Sequence, residues 1–270
     1  MTYCSESDHD ISNWIALFRK AGYDVKQVGK SPCCELTSLE KFYLSMDMDF
    51  LEKMPVEVIM DGDINYPEQF TKFLNSKRPR ALFCMGNVSL FNMSSIFVGG
   101  ARDASKTGLE LAYKCGRLIA EAGNTVISGY ARGVDMAAHL GSLEGGGTTI
   151  AILPYGLSRF AIKQALIEVF DPDRFLVVSE LPPSCVFMTK AAFRRNMLLV
   201  ALAHSVIVVE PGESGGTWHS AEKAQSMHKP LYFLEGERPD IIARLESMGG
   251  YHLNIRNGAP ILDEVYENNE

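Results

Sequence analysis

The residues Ser128–His139, SGYARGVDMAAH, follow a short apolar run and hold two glycines, an arginine, an aspartate and a histidine. Ser128 and Gly129 allow a sharp exit from a strand, and Gly133 falls near the start of the next helix. Arg132 carries a planar guanidinium that grips phosphate in a bidentate fashion, or pairs with Asp135 to brace the loop. Asp135 lies in a first helical turn, where exposed N–H groups favour a carboxylate, and His139 follows four residues later on the same face. These two read as scaffold for the loop rather than as a catalytic pair.

Three other segments have related chemistry. GGARDASKTG places Gly99, Gly100, Arg102, Ser105 and Thr107 just ahead of a helical stretch, a pattern that suits an anion or a tight strand-to-helix turn. It matches neither the Walker A loop nor the full GxGxxG fingerprint. In ESGGTWHSAE, the run Ser214, Gly215, Gly216 and Thr217 forms a backbone-rich nest for an anion or a plain connection. AAFRRNM puts Arg195 and Asn196 inside a helix, for a phosphate and a base edge respectively or as a solvated basic face. Trp218 and Tyr130 are candidates to stack on bases. His219 and Glu222 raise a hydrolase reading with Glu222 as general base. No metal cluster and no catalytic residue stands out, and no cofactor is called for.

The elements that must position these residues alternate regularly. Apolar runs at 81–85, 95–99, 125–128, 148–153, 175–179, 205–210 and 230–234 are separated by helical stretches near 106–122, 134–143, 160–168, 189–203, 217–228 and 238–248. Near-continuous apolar strands between helices predict a doubly wound, mostly parallel α/β sheet of six or seven strands, covered on both faces. In such a sheet the loops beyond the strand C-termini converge where strand order reverses, and the loops quoted above are of that kind. Residues 1–60 read as a small N-terminal helical appendage, with helices at 11–20 and 39–51. Residues 61–250 read as the α/β domain and 251–270 as a C-terminal tail.

Composition narrows the classes. The chain has 270 residues, 46% hydrophobic and 22% charged, with a formal charge of −7 that disfavours whole-surface attraction to nucleic acid but permits a local basic cleft. No apolar run approaches the roughly 20 residues of a membrane span. The N-terminus lacks a signal-peptide pattern, and Cys4, Cys33, Cys34, Cys84, Cys115 and Cys185 lack metal-ligand spacing. A reduced cytoplasmic protein without a membrane partner is expected.

SGYARGVDMAAH closely resembles the SGxARGID-x-x-AH signature of the bacterial DNA processing protein A family, also called DprA or Smf. The resemblance continues in order through YPEQF at 66–70, LFCMGN at 82–87, GGTTIAIL at 146–153, SELPP at 179–183, RRN at 194–196, VIVVE at 206–210 and SGGTWHSAEKA at 214–224. It implies a Rossmann-like domain that binds single-stranded DNA, as a homodimer, and helps load a RecA-type recombinase in natural transformation or related DNA recombination. It further implies that Arg102, the segment Ser128, Gly129, Arg132 and Gly133, and the Arg195–Asn196 pair form the ligand surface. Two other readings stay open: a nucleotide or nucleoside-monophosphate hydrolase, and a nucleotide-sensing assembly protein.

Overall fold

A computed structural model of the chain describes residues 11–21, 36–235 and 238–267. Helices α1 (Ile11–Lys20) and α2 (Ser38–Lys53) precede strand β1 (Glu57–Met60), then α3 (Glu68–Leu74), β2 (Ala81–Gly86), β3 (Ser95–Gly100), α4 (Lys106–Glu121), β4 (Thr125–Ser128) and α5 (Val134–Glu144). There follow β5 (Thr148–Ile152), β6 (Phe175–Ser179), α6 (Thr189–Leu202), β7 (Ser205–Val209), α7 (Gly216–Ser226), β8 (Leu231–Leu234), α8 (Pro239–Ser247), β9 (Gly250–His252), a minimal hairpin of β10 (Ile255–Arg256) and β11 (Ala259–Pro260), and α9 (Asp263–Glu267).

The strands form one nine-stranded sheet in the order β1-β2-β6-β5-β4-β3-β7-β8-β9. From β6 to β9 every pairing is parallel, while β2 runs antiparallel to β6 and β1 antiparallel to β2. All seven strands expected from the apolar runs are present. The two additional ones are edge strands: β1 follows Pro55 and has four residues, and β9 reads GYH, too short and too polar for a strand signal.

Side chains alternate between faces as the pleat requires. In β5, Ile150 and Ile152 point to the layer of α3, α6, α7 and α8, whereas Ala151 points to the opposite layer. That opposite layer has α4 and α5 packed over β3, β4 and β7, with Leu111, Ile119 and Ala138 buried. Beside them α1 and α2 cover β2 and β6 through Trp14, Ile15 and Phe18. The expected appendage therefore contributes to the same core. Arg19 of α1 pairs with buried Asp47 of α2 and donates to Ser184 Oγ at 2.6 Å, while Asp47 accepts from the Ser184 N–H at 2.7 Å. These contacts pin the turn that leads into α6. At the other end of the chain, Leu253, Leu262 and Val265 bury beneath α4, so residues beyond 250 also belong to the packed body.

One expected helix is absent. Residues 160–168 form only irregular chain and a short 3₁₀ turn at Gln164–Leu166. The cause lies in Tyr130, whose hydroxyl donates to the Ala161 carbonyl at 3.1 Å and accepts from the Lys163 N–H at 3.0 Å. The backbone groups a helix would need are thus engaged elsewhere. Cys84, Cys115 and Cys185 are free and buried; Cys4, Cys33 and Cys34 lie outside the described residues. Among the described residues no helix is long and apolar enough to cross a membrane, and no cluster of His, Cys, Asp or Glu could hold a metal ion.

Candidate functional site

The chain winds from β3 outward to β6 on one side, and from β7 outward to β9 on the other. Strand order therefore reverses between β3 and β7, which pair from Ile96–Ser205 to Gly100–Val209. A cleft of about 1180 Å³ opens beyond the C-terminal ends of these two strands, where side chains and loops of such sheets diverge. Gly99, Gly100, Arg102, Ser105, Asp135, Arg195, Asn196, Ser214, Gly216 and Thr217 line it. Loops separated by about a hundred residues in sequence thus converge on one cavity.

The start of α7 forms one wall. Gly215, in the left-handed region at φ 108°, precedes the helix, and no side chain caps its first N–H groups. Thr217 Oγ1 donates to the Gly100 carbonyl at 3.2 Å, and Asn196 Nδ2 donates to the Gly216 carbonyl at 2.9 Å. These bonds tie α7 to the end of β3 and to α6, leaving uncapped helical N–H groups on the cleft, an arrangement that attracts anions. Asn196 consequently serves the loop as a brace, with its amide engaged by backbone.

Arg195 supplies the positive charge within. It is 7% exposed and donates through Nη1 to the Ile152 carbonyl at 3.3 Å. Its buried Nε has no hydrogen-bond partner. Burial lowers its pKa, an effect opposed by the charge of Asp135 and reinforced by Arg102. A buried guanidinium that lines a cleft with part of its hydrogen-bonding capacity unfilled is suited to an acceptor from a ligand. Arg102 is exposed on the cleft margin and makes no side-chain hydrogen bond among the described residues. Arg194, the neighbour of Arg195, is engaged in a bidentate pair with Glu180, both bonds at 2.9 Å.

SGYARGVDMAAH occupies a different place from the one its composition suggests. Ser128 is fully buried and donates to the Val98 carbonyl at 2.7 Å, beyond reach of a ligand. Gly129 makes room for Arg195, and Gly133, at φ 81°, packs against the backbone of Ala101 and Arg102, where a Cβ would fall 2.5 Å from both carbonyl oxygens. Arg132 is not among the residues that line the cleft; its side chain is 70% exposed and pairs at 2.8 Å with Asp103, which does line it. Asp135 accepts from the Ala131 N–H at 3.2 Å. His139 is fully buried, with Nδ1 2.6 Å from Thr149 Oγ1, and burial together with the charges of Lys163 and Arg195 pushes it down to about 3. The segment holds the floor of the cleft, and Arg195 and Arg102 are the arginines of these loops that line it.

The aromatic candidates change as well. Trp218 is buried, donates to the Gly212 carbonyl at 2.6 Å and carries the Arg244 guanidinium 3.7 Å above its ring. Tyr130 is buried over Phe160 and Phe175. Neither can stack on a base. Phe187 and Phe193 instead line the cleft while 51% and 42% exposed. Their signal in the sequence was a pair of phenylalanines flanking the polar start of α6, where a core helix would bury them. Glu222, the proposed general base, is 4.0 Å from His219 Nδ1, and neither residue lines the cleft.

Comparison with known proteins places this architecture. DNA processing protein DprA of Streptococcus pneumoniae is 29% identical over 212 residues, spanning 78% of this chain and 72% of that relative. Protein Smf of Escherichia coli is 25% identical over 267 residues, covering 95% of this chain and 68% of its own length. Among solved structures, DprA from S. pneumoniae superposes with a TM-score of 0.70 at 23% identity, over 93% of this chain and 95% of that one. DNA processing protein A from Helicobacter pylori, studied for its single-stranded DNA binding mode, gives a TM-score of 0.64 at 22% identity, over 74% of this chain and 91% of that one. These likenesses establish a shared Rossmann-like fold. With the family of DNA recombination-mediator protein A matched across residues 57–269, from the edge strand β1 to the C-terminal helix, this chain belongs to that family.

Proposed function

We propose that the cleft between β3 and β7 binds single-stranded DNA without covalent chemistry, as a step in DNA processing or recombination. The observation that carries this reading is the meeting of buried Arg195, its Nε unpartnered, with the uncapped start of α7 in one open cleft. Phosphate oxygens fit both donors, and Phe187 and Phe193 offer flat apolar faces to unstacked bases, the combination that single-strand binders use. Family membership and the single-stranded DNA binding of the H. pylori protein support the same reading.

The charge of −7 makes this a local interaction confined to the cleft rather than a property of the whole surface. A homodimer in the cytoplasm that hands its strand to a RecA-type recombinase is the assembly this reading expects. The deciding experiment is a binding panel of free nucleotides and short to long single-stranded oligonucleotides, each at two salt concentrations. Affinity should rise with strand length and fall steeply with salt. Equal affinity for mononucleotides and oligonucleotides would turn the assignment towards a nucleotide sensor. Light scattering with and without DNA, and co-sedimentation with a RecA-type recombinase, test the assembly.

A further inference from the structure

Two helices begin at the cleft, and they differ in how their first N–H groups are satisfied. The start of α7 is uncapped by any side chain. At the start of α4, the Glu210 carboxylate accepts from the Ser105 N–H at 2.8 Å and from Ser105 Oγ at 2.6 Å, while Ser105 Oγ accepts in turn from the Gly108 N–H at 3.0 Å. Glu210 follows β7, lines the cleft, and takes φ 41°, a left-handed conformation uncommon for a residue with a side chain. The local packing accommodates its carboxylate closely: a Cβ on Gly108 would fall 2.4 Å from Oε2.

We infer that Glu210 is a specificity-determining residue of the cleft: its carboxylate is a resident anion at the start of α4, which keeps phosphate from that helix and directs it to α7. The inference rests on the reading that the cleft takes phosphate groups. Its physical basis is that a helix start accommodates a carboxylate or a phosphate through the same N–H groups, so that one excludes the other. Arg195, buried in the same cleft with Nε unpartnered, marks where the incoming anion belongs. Asp103, on the loop that leads into α4, also lines the cleft and adds a second carboxylate beside Glu210. A strand is thereby offered one track across the cleft rather than two.

The test uses the full chain, wild type beside Glu210→Ala and Glu210→Gln. Inorganic phosphate titrated by calorimetry should occupy one site per chain in the wild type and two in Glu210→Ala. The logarithm of oligothymidine affinity should fall more steeply with the logarithm of salt in Glu210→Ala, by about 0.7 for the one added phosphate. Glu210→Gln keeps an acceptor for Ser105 but removes the charge, and should bind oligothymidine about threefold or more tightly at low salt, the gain shrinking as added salt screens the charge. A folded Glu210→Ala whose phosphate stoichiometry and salt slope match the wild type would overturn the inference. If Glu210→Ala does not fold, Glu210→Gln decides alone, and wild-type affinity at every salt concentration overturns it. Wild-type protein that binds no oligothymidine would overturn the DNA reading, while the change in phosphate stoichiometry would still decide the role of Glu210.

Discussion

Arg195 occupies the space that a side chain at position 129 would need: a Cβ on Gly129 would lie 1.5 Å from Nη1 of the guanidinium. The glycine that follows β4 is therefore a condition for the arginine of α6. Gly129→Ala should displace Arg195 and reduce single-stranded DNA affinity as much as Arg195→Ala does. A crystal structure or thermal melt of the variant, set beside its binding isotherm, separates displacement from unfolding.

Two of the arginines singled out by sequence, Arg195 and Arg132, should behave differently. Arg195→Ala removes a charge-assisted contact and should weaken oligonucleotide binding by about 1.5–3 kcal/mol, roughly ten- to 150-fold. Arg132→Ala breaks only a solvent-exposed pair with Asp103 and should change affinity less than about threefold. Fluorescence anisotropy on both variants checks the contrast. Equal losses would return Arg132 to the contact surface.

Loss of an aromatic face should be felt by bases rather than by phosphates. Phe187→Ala and Phe193→Ala should each cost about 1–3 kcal/mol of single-strand affinity, the range for one stacked base. Because no charge changes, the salt dependence should stay as in the wild type. Both side chains are substantially exposed, so melting temperatures should move little.

Acid should destabilise the fold through His139. The Thr149 hydroxyl donates to the Val126 carbonyl at 3.0 Å, so the imidazole Nδ1–H donates to Thr149 and Nε2 remains buried without a partner. The unfolded chain takes up a proton near 6.5, whereas in the folded chain burial defers it to about 3. The contribution is complete above 6.5 and declines as pH falls towards 3, because the unfolded state then binds more protons. Urea midpoints measured from pH 7 to pH 4 should drop, and the drop should be smaller in His139→Gln.

Much of the framework was legible because strands buried on both faces read as apolar runs, and β2 to β8 all announced themselves that way, the antiparallel β2 included. Edge strands carry no such mark, so β1 and β9 appear only through their pairing. The region after β5 was misread as helical because the Tyr130 hydroxyl, thirty residues away, claims the backbone of Ala161 and Lys163. The same kind of distant competition separates Arg132 from Arg195. Composition places both beside small residues, but Arg132 is held in an exposed pair with Asp103 while the gap at Gly129 admits Arg195. Glu210 gave no local signal, since its partner Ser105 lies in a loop joined to it only by the pairing of β3 with β7.

That pairing also sets when the protein becomes competent during synthesis. Gly100 lies at the end of β3, whereas Arg195, Gly216 and Thr217 come from segments around β7, the neighbouring strand. A nascent chain that has completed β6 holds six of the nine strands and no cleft. Contacts of this sequence separation are made late and at high entropic cost. Ligand capture is therefore a property of the finished domain, and a partially made chain remains silent.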